Sequence, residues 1–441
     1  MMDYRKINLS PSQLLILIFF VSILIGTGLL MLPFATNEPI HFIDALFTAT
    51  SAMTVTGLAV VDTGSVYTLF GQCVIVSLIQ LGGLGIMSFA VLIYMALGKK
   101  IGLKDRILIQ QSLNQTSIGG VIYLVRNLFI FSLAIEGIAM LFLALRWVPD
   151  LGWGKGLFYS FFHSISAFNN AGMALWPDNL MGFVGDPIVN IVISLLFITG
   201  GLGFTVLIEL WREKSYKKMS LHSRLMIVGT FVINIVSMLL IFTLEYSNPN
   251  TLGGLASLWD KLWASYFQAV SPRTAGFNSL DIASLDESTI FLMLLLMFVG
   301  AGSASTGGGI KLTTFLVIVL AVITYLRGKK EVVVGRKSID YEIVFRSLAI
   351  SSVALAFIFV AVFLLNITEK EPFLPLLFEV ISAFGTVGLS MGVTAKLTIM
   401  GKLIIIFMMF LGKLGPLTLV MSLAKQDNTK IRYPSENILT G

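Results

Sequence analysis

Residues 47–58 read Phe-Thr-Ala-Thr-Ser-Ala-Met-Thr-Val-Thr-Gly-Leu, and the pattern returns three more times. Residues 162–173 read Phe-His-Ser-Ile-Ser-Ala-Phe-Asn-Asn-Ala-Gly-Met, residues 267–277 Phe-Gln-Ala-Val-Ser-Pro-Arg-Thr-Ala-Gly-Phe, and residues 378–389 Phe-Glu-Val-Ile-Ser-Ala-Phe-Gly-Thr-Val-Gly-Leu. Each copy has a Phe, a Ser four residues on, and a Gly six residues later, five in the third copy. The glycines Gly57, Gly172, Gly276 and Gly388 are 115, 104 and 112 residues apart, so the chain is a fourfold tandem repeat. Four short helices that each end in a small-residue, glycine-terminated turn suit a ring about one axis, where backbone carbonyls replace a cation's water shell.

The composition agrees. Of 441 residues, 56 % are hydrophobic and only 12 % charged, about half the charge of a soluble domain. Several apolar runs reach the ~20 residues needed to cross a bilayer. The net charge of +6 therefore speaks to membrane sidedness rather than nucleic acid. A single cysteine, Cys73, excludes an intrachain disulfide and a cysteine metal cluster, and His41, His163 and His222 have no ligand spacing. No Ser/His/Asp set or carboxylate pair occupies the spanning segments, so the chain reads as a non-enzyme.

The expected architecture is an all-α polytopic membrane protein of eight transmembrane helices and four re-entrant half-helices in pseudo-fourfold arrangement. Repeat one (1–110) has a retained spanning helix at 11–33, a half-helix near 40–52 and a second helix over 70–97. Repeat two (111–218) has helices at 121–145 and 187–210 around a half-helix at 155–168. Repeat three (219–335) has a helix at 223–246, a half-helix at 255–270 and a long segment at 289–326. Five glycines between Gly300 and Gly309 break that segment, since each costs up to ~1 kcal/mol relative to Ala in a helix. Repeat four (336–441) has helices at 343–367 and 397–424 around a half-helix at 373–384. Together they form one pore domain. A half-helix too short to span is tolerated where protein surrounds its exposed backbone.

Twenty-one of the thirty basic residues fall in the tails, the inter-repeat connectors or their flanks. The positive-inside rule then puts both termini and the connectors in the cytoplasm, with the half-helices entering from outside. Two crossings per repeat make the copies parallel, unlike the inverted repeats of many secondary transporters. The connectors at 99–120 and 212–224 set topology and offer a cytoplasmic docking surface; the polar run Gln110, Gln111, Asn114 and Gln115 suits either a linker or such a surface. Asp44, Asp62, Asp178, Asp281 and Glu379 lie on the outer side and read either as charges that attract cations or, for most of them, as solvated loop charges, with a structural hydrogen bond as the plain alternative for Glu379.

The chain resembles the Trk/Ktr/HKT superfamily of potassium transporters, and within it the bacterial Ktr membrane subunits, over nearly its whole length. The motifs that carry the resemblance are Thr54-Val55-Thr56-Gly57, Asn169-Asn170-Ala171-Gly172, Arg273-Thr274-Ala275-Gly276, Gly385-Thr386-Val387-Gly388, the run Gly300–Lys311, and Gly412-Lys-Leu-Gly-Pro-Leu-Thr418. The resemblance implies that the sixteen residues of the four turns form a selectivity filter whose carbonyls bind the ion. In relatives, Ser at the first filter glycine accompanies sodium permeation; all four positions here are Gly, which favours potassium. It also implies a homodimer in the plasma membrane on a ring of cytosolic regulatory subunits of the Ktr type that bind the nucleotide, with sodium as a possible activator. Many relatives carry Arg where Lys413 stands.

The gate is expected in Gly300, Gly302, Ser303, Ser305, Thr306, Gly307, Gly308 and Gly309, with Lys311 and with Lys413 projecting into the cavity below the filter. Intramembrane lysines are costly and face water or a partner. A plain kink at the glycines and snorkelling of Lys413 are the ordinary alternatives. Sodium- or proton-coupled secondary transport is the rival function, and the lack of a clearly mid-membrane carboxylate argues against it.

Overall fold

A computed structural model describes residues 11–85, 88, 121–335 and 337–415. The connector with Lys99, Lys100, Lys104, Arg106, Gln110, Gln111, Asn114 and Gln115, the far end of the helix expected over 70–97, and the tail from Pro416 with Lys425, Lys430 and Arg432 lie outside the described residues.

The pattern helix, short buried helix, turn, second helix occurs four times. Repeat one holds α1 (Pro11–Leu30), α2 (Phe42–Met53) and α3 (Leu69–Leu84). Repeat two holds α4 (Val121–Leu151), α5 (Trp153–Phe168), α6 (Pro187–Leu202) and α7 (Phe204–Glu213). Repeat three holds α8 (Leu221–Glu245), α9 (Leu258–Val270), α10 (Glu287–Phe298) and α11 (Leu312–Leu326). After a hairpin of β1 (Val332–Val334) and β2 (Lys337–Ile339), repeat four holds α12 (Tyr341–Thr368), α13 (Phe373–Gly385) and α14 (Ile399–Leu414). The chain is thus a mostly helical membrane protein, and the small antiparallel hairpin corrects the all-α expectation.

Helices α1, α4, α8 and α12 are long and apolar enough to cross a membrane. Their outer faces carry exposed Leu141, Leu145, Phe231, Phe359 and Phe363, as lipid contact requires. The short helices α2, α5, α9 and α13 have 12, 16, 13 and 13 residues. At about 1.5 Å per residue they fall short of a ~30 Å hydrocarbon core. The repeat phenylalanines Phe47, Phe162, Phe267 and Phe378 are fully buried and anchor these helices in the core.

The second helices differ from expectation. The helix expected unbroken over 187–210 bends by 96° between α6 and α7. Gly203 sits at the bend with φ 101° and ψ 138°, and Gly85 and Gly415 end α3 and α14 with nearly the same values, 84°/129° and 87°/133°. Only glycine adopts this backbone without steric cost. Three residues earlier, Gly82, Gly200 and Gly412 lie under the last carbonyls of their own short helices. A Cβ there would come within 1.9, 1.9 and 2.0 Å of the Met53, Phe168 and Phe384 oxygens. The Gly-x-x-Gly spacing therefore serves close packing first and a helix break one turn later.

Each second helix also packs on the short helix of the next repeat. Gln80 of α3 meets Asn169 at the end of α5. Phe197 of α6 meets Phe267 of α9 edge-on, and Tyr266 donates to Ser194 at 3.0 Å. Phe298 of α10 stacks with Phe384 of α13. Lys402 of α14 returns to Asp44 of α2 at 2.6 Å, closing the cycle. Asp44 is buried in this ion pair, so it is not the solvated loop charge expected from the sequence.

Candidate functional site

The ends of α2, α5, α9 and α13 bring the four turns together. A Cβ added to Gly57 would lie 2.4 Å from the Ala171 carbonyl oxygen, one on Gly172 2.7 Å from the Gly276 Cα, one on Gly276 2.1 Å from the Val387 oxygen, and one on Gly388 2.2 Å from the Thr56 oxygen. The turns thus touch in the order one, two, three, four and back to one.

The four copies share a backbone as well as a place. Two residues before each glycine stands a non-glycine in the left-handed region: Val55 at φ 52°, Asn170 at 59°, Thr274 at 69° and Thr386 at 48°. The glycines follow at 94°, 64°, 75° and 94°. Three of the four, Val55, Thr274 and Thr386, are β-branched, for which this conformation is rare and costs of order 1–3 kcal/mol each. Their recurrence at one register marks a built shape. The amide of the following residue closes each turn on the repeat serine's carbonyl: Thr56 to Ser51, Ala171 to Ser166 and Val387 to Ser382 at 2.8 Å, and Ala275 to Ser271 at 3.0 Å.

The serine hydroxyls add a second clip, in two forms. Ser51 and Ser382 accept from the amides of Gly57 and Gly388 at 3.0 and 3.1 Å. Ser166 instead donates to the Met173 carbonyl at 2.8 Å, and Ser271 donates to the Phe277 carbonyl. In turn two, His163 Nδ1 bonds the Tyr159 carbonyl at 2.7 Å while its Nε2 accepts from the Leu175 amide at 3.3 Å, so a neutral imidazole holds the outgoing chain.

The first residue of each motif is tied to helix backbone, to neighbouring helices or, for Thr54, also to Thr56 Oγ1 at 2.7 Å. Thr54 Oγ1 donates back to the Thr50 carbonyl at 2.8 Å. Asn169 donates to Gln80 at 2.6 Å, and Arg273 reaches Asn234 and Thr230 on α8 at 3.1 and 3.4 Å. Gly385 lies against the Met297 carbonyl. The side chains of Asn169 and Arg273 are therefore supports behind their turns.

The segment 299–311 breaks the second helix of repeat three, as its glycines foretold, and lies against the turns. It is pinned to itself by Gly300 N–H to the Ile310 carbonyl at 2.8 Å. It is pinned to repeat two by Gly302 N–H to the Gly201 carbonyl at 2.8 Å, and to repeat four by Gly309 N–H to the Gly412 carbonyl at 3.1 Å. Thr306 Oγ1 donates to Asn170 Oδ1 at 2.7 Å, and Gly308 N–H donates to Thr386 Oγ1 at 2.8 Å. A Cβ on Gly307 would strike Thr274 Oγ1 at 2.3 Å. Three of the four left-handed residues thus contact the loop. Ser305 Oγ closes on the Gly302 carbonyl at 2.6 Å, and Ser303 meets Thr313 at 3.1 Å.

Two half-buried lysines, Lys311 and Lys413, end on this loop. Lys311 Nζ donates to the Gly307 carbonyl at 2.6 Å, and Lys413 Nζ donates to the Thr306 carbonyl at 2.5 Å. Lys413 is therefore a strut on the loop. Sequence reading missed Glu136, a carboxylate midway along α4 and 5 % exposed; as the one acidic residue in the apolar run at 121–145 it was the available signal. Glu379 does accept structural hydrogen bonds, from Ser390 at 2.8 Å and from Thr394.

A family model described as TrkH, cation transport protein, matches residues 9–431. The chain is 61 % identical over 437 residues to the Ktr system potassium uptake protein B of Bacillus subtilis, covering 99 % of this chain and 98 % of that one. It is 45 % identical to the protein of that name from Vibrio alginolyticus, over 97 % and 94 % of the two chains. It is 37 % identical to the potassium/sodium uptake protein NtpJ of Enterococcus hirae, over 98 % of each. Among solved structures, the potassium transporter TrkH of Vibrio parahaemolyticus superposes with a TM-score of 0.76 at 21 % identity, over 96 % of this chain and 87 % of that one. The chain therefore belongs to the TrkH family of cation transport proteins.

Proposed function

We propose that this protein carries potassium into the cell through the ring of glycine turns. The four quarters, 1–110, 111–218, 219–335 and 336–441, act as parallel units of one pore with pseudo-fourfold symmetry and eight crossings. The observation that carries the reading is the closed contact cycle of Gly57, Gly172, Gly276 and Gly388, each preceded by a left-handed residue at the same register. Small turn residues leave main-chain oxygens free to replace a cation's water. The short helices point their C-terminal, partly negative ends at the ring. The close relatives named for potassium uptake support the choice of ion.

The loop at 300–309 is the gate, held shut by Lys311, Lys413 and the threonines of turns three and four. Its release is the work of a cytosolic nucleotide-binding subunit ring, which docks on the cytoplasmic connectors of a homodimer of this chain. Both termini face the cytoplasm, and sodium serves as activator. Deleting residues 301–306 raises potassium flux and frees it from the regulator; unchanged uptake would remove the loop from this role.

Coupled secondary transport is the second reading, favoured by the buried carboxylate of Glu136. Reconstitution in proteoliposomes separates the two. Uptake driven by a potassium gradient alone supports a filter, whereas uptake that a proton or sodium gradient drives against potassium's own gradient supports coupling.

A further inference from the structure

Glu136 lies at the middle of the 125–151 span and is buried behind turn two. Its Oε1 accepts from Ser132 Oγ at 2.8 Å, from Gln80 Nε2 at 3.2 Å and from Asn169 Nδ2 at 3.4 Å; its Oε2 accepts from Gln80 Nε2 at 3.1 Å. Gln80 comes from repeat one, and its own Oε1 accepts from Asn169 Nδ2 at 2.6 Å. Asn169 Nδ2 also donates to the Ile165 carbonyl at 2.9 Å, which fixes the end of the amide that faces the acid. Gly83 makes the room, since a Cβ there would lie 2.0 Å from Asn169 Oδ1. Both amides thus present donors to Glu136. Donors from Ser132, Gln80 and Asn169 converge on Glu136, the shell that an ionised, acceptor-only carboxylate fills.

Asn169 directly precedes the left-handed Asn170 of turn two. At the matching place in turn three stands Arg273, 8 % exposed, whose partners Asn234 and Thr230 are neutral; no carboxylate pairs with it among the described residues. Two neighbouring turns are therefore backed by ionisable groups of opposite sign, Glu136 and Arg273.

We propose that Glu136 is a positioning and specificity-determining residue for cation passage. Its carboxylate holds Asn169 and Gln80 so that turn two keeps its shape across the boundary with repeat one. Its charge favours a cation in the ring, and Arg273 opposes that effect from the other side. This rests on the filter reading above.

Initial rates of potassium uptake in proteoliposomes, with sodium as competitor, test it. E136Q keeps the size and removes the charge; KM for potassium rises roughly five- to tenfold, as loss of one nearby charge at intermediate dielectric predicts, and rises more than Vmax falls. R273Q moves KM the opposite way. E136D keeps the charge but withdraws it from both amides, so it loses discrimination against sodium with a smaller change in KM. Q80L reproduces the discrimination loss of E136D. A KM within twofold of wild type in E136Q, or equal effects of E136Q and E136D, overturns the proposal. Should E136Q not reach the membrane, wild-type discrimination in both E136D and Q80L does the same. The control is G172S: if it too leaves discrimination intact, the filter reading fails rather than the role of Glu136.

Discussion

The ring of turns and the loop beneath it are built on different terms. Each turn is made from its own repeat: a short helix, a serine that closes it twice, a left-handed residue and a glycine. The loop occurs in one repeat and is held mostly by others, through the Gly201 and Gly412 carbonyls, Asn170, Thr386 and Lys413. A structure held by its own local chain has one shape. A structure held by borrowed contacts exchanges them for water or for one another at modest cost, because each hydrogen bond nets only about 1 kcal/mol. The difference is what the proposed filter and gate ask of a fixed element and a movable one.

Breaking the ring is expected to have the largest effect. G172A or G276A forces a Cβ to within 2.7 or 2.1 Å of a neighbouring turn's backbone at a positive φ. Potassium uptake is expected to fall at least a hundredfold, roughly the 3 kcal/mol that strain plus backbone clash produce. Uptake within tenfold of wild type would mean that the turns do not form a tight ring in the membrane.

Next come the struts. K413Q removes the ammonium bound to the Thr306 carbonyl. Losing a charged hydrogen bond worth roughly 1.5–3 kcal/mol shifts the loop toward release, so basal flux rises about tenfold while discrimination between potassium and sodium is kept. A loss of discrimination would tie Lys413 to the ring instead.

T386V is smaller. It strips the acceptor from the Gly308 amide, leaving a buried donor unpaired, and about 1–2 kcal/mol of loop stability goes with it. Flux is expected to rise severalfold, and amide exchange at Gly308 to quicken. Unchanged exchange would mean that the other anchors hold the loop alone.

The smallest effect sharpens a contrast within the ring. S51A and S382A remove acceptors from the amides of Gly57 and Gly388, whereas S166A removes a donor from the Met173 carbonyl. A stranded amide is harder to satisfy than a carbonyl with a second lone pair. S51A and S382A are expected to lower melting temperature by a few degrees, about 1 kcal/mol, and more than S166A. Equal shifts would show that the two clips are equivalent.

How much of this was legible in the chain depends on periodicity. The four turns, the short helices within three residues of their observed starts, and the broken segment at 300–309 all announce themselves through glycine, serine and phenylalanine at repeated spacing. The breaks at Gly85, Gly203 and Gly415 were equally present as Gly-x-x-Gly, but a glycine in an apolar run also suits plain helix packing, and only the observed φ separates the two. The placing of Asn169 and Arg273 behind their turns was invisible, because the direction of a turn's side chain depends on which helix stands behind it.

By itself, then, the sequence determined the repeat, the membrane and the positions that must be glycine, since these follow from hydrophobicity and from the steric limits of single residues. Only the tertiary structure decided what those positions meet. The cyclic contact of the turns, the union of Gln80, Glu136 and Asn169 across two repeats, and the seat of Lys413 on Thr306 join residues 56, 33 and 107 apart. Such pairs have no periodic trace, because they are chosen by how packed helices face one another rather than by the preference of any local stretch.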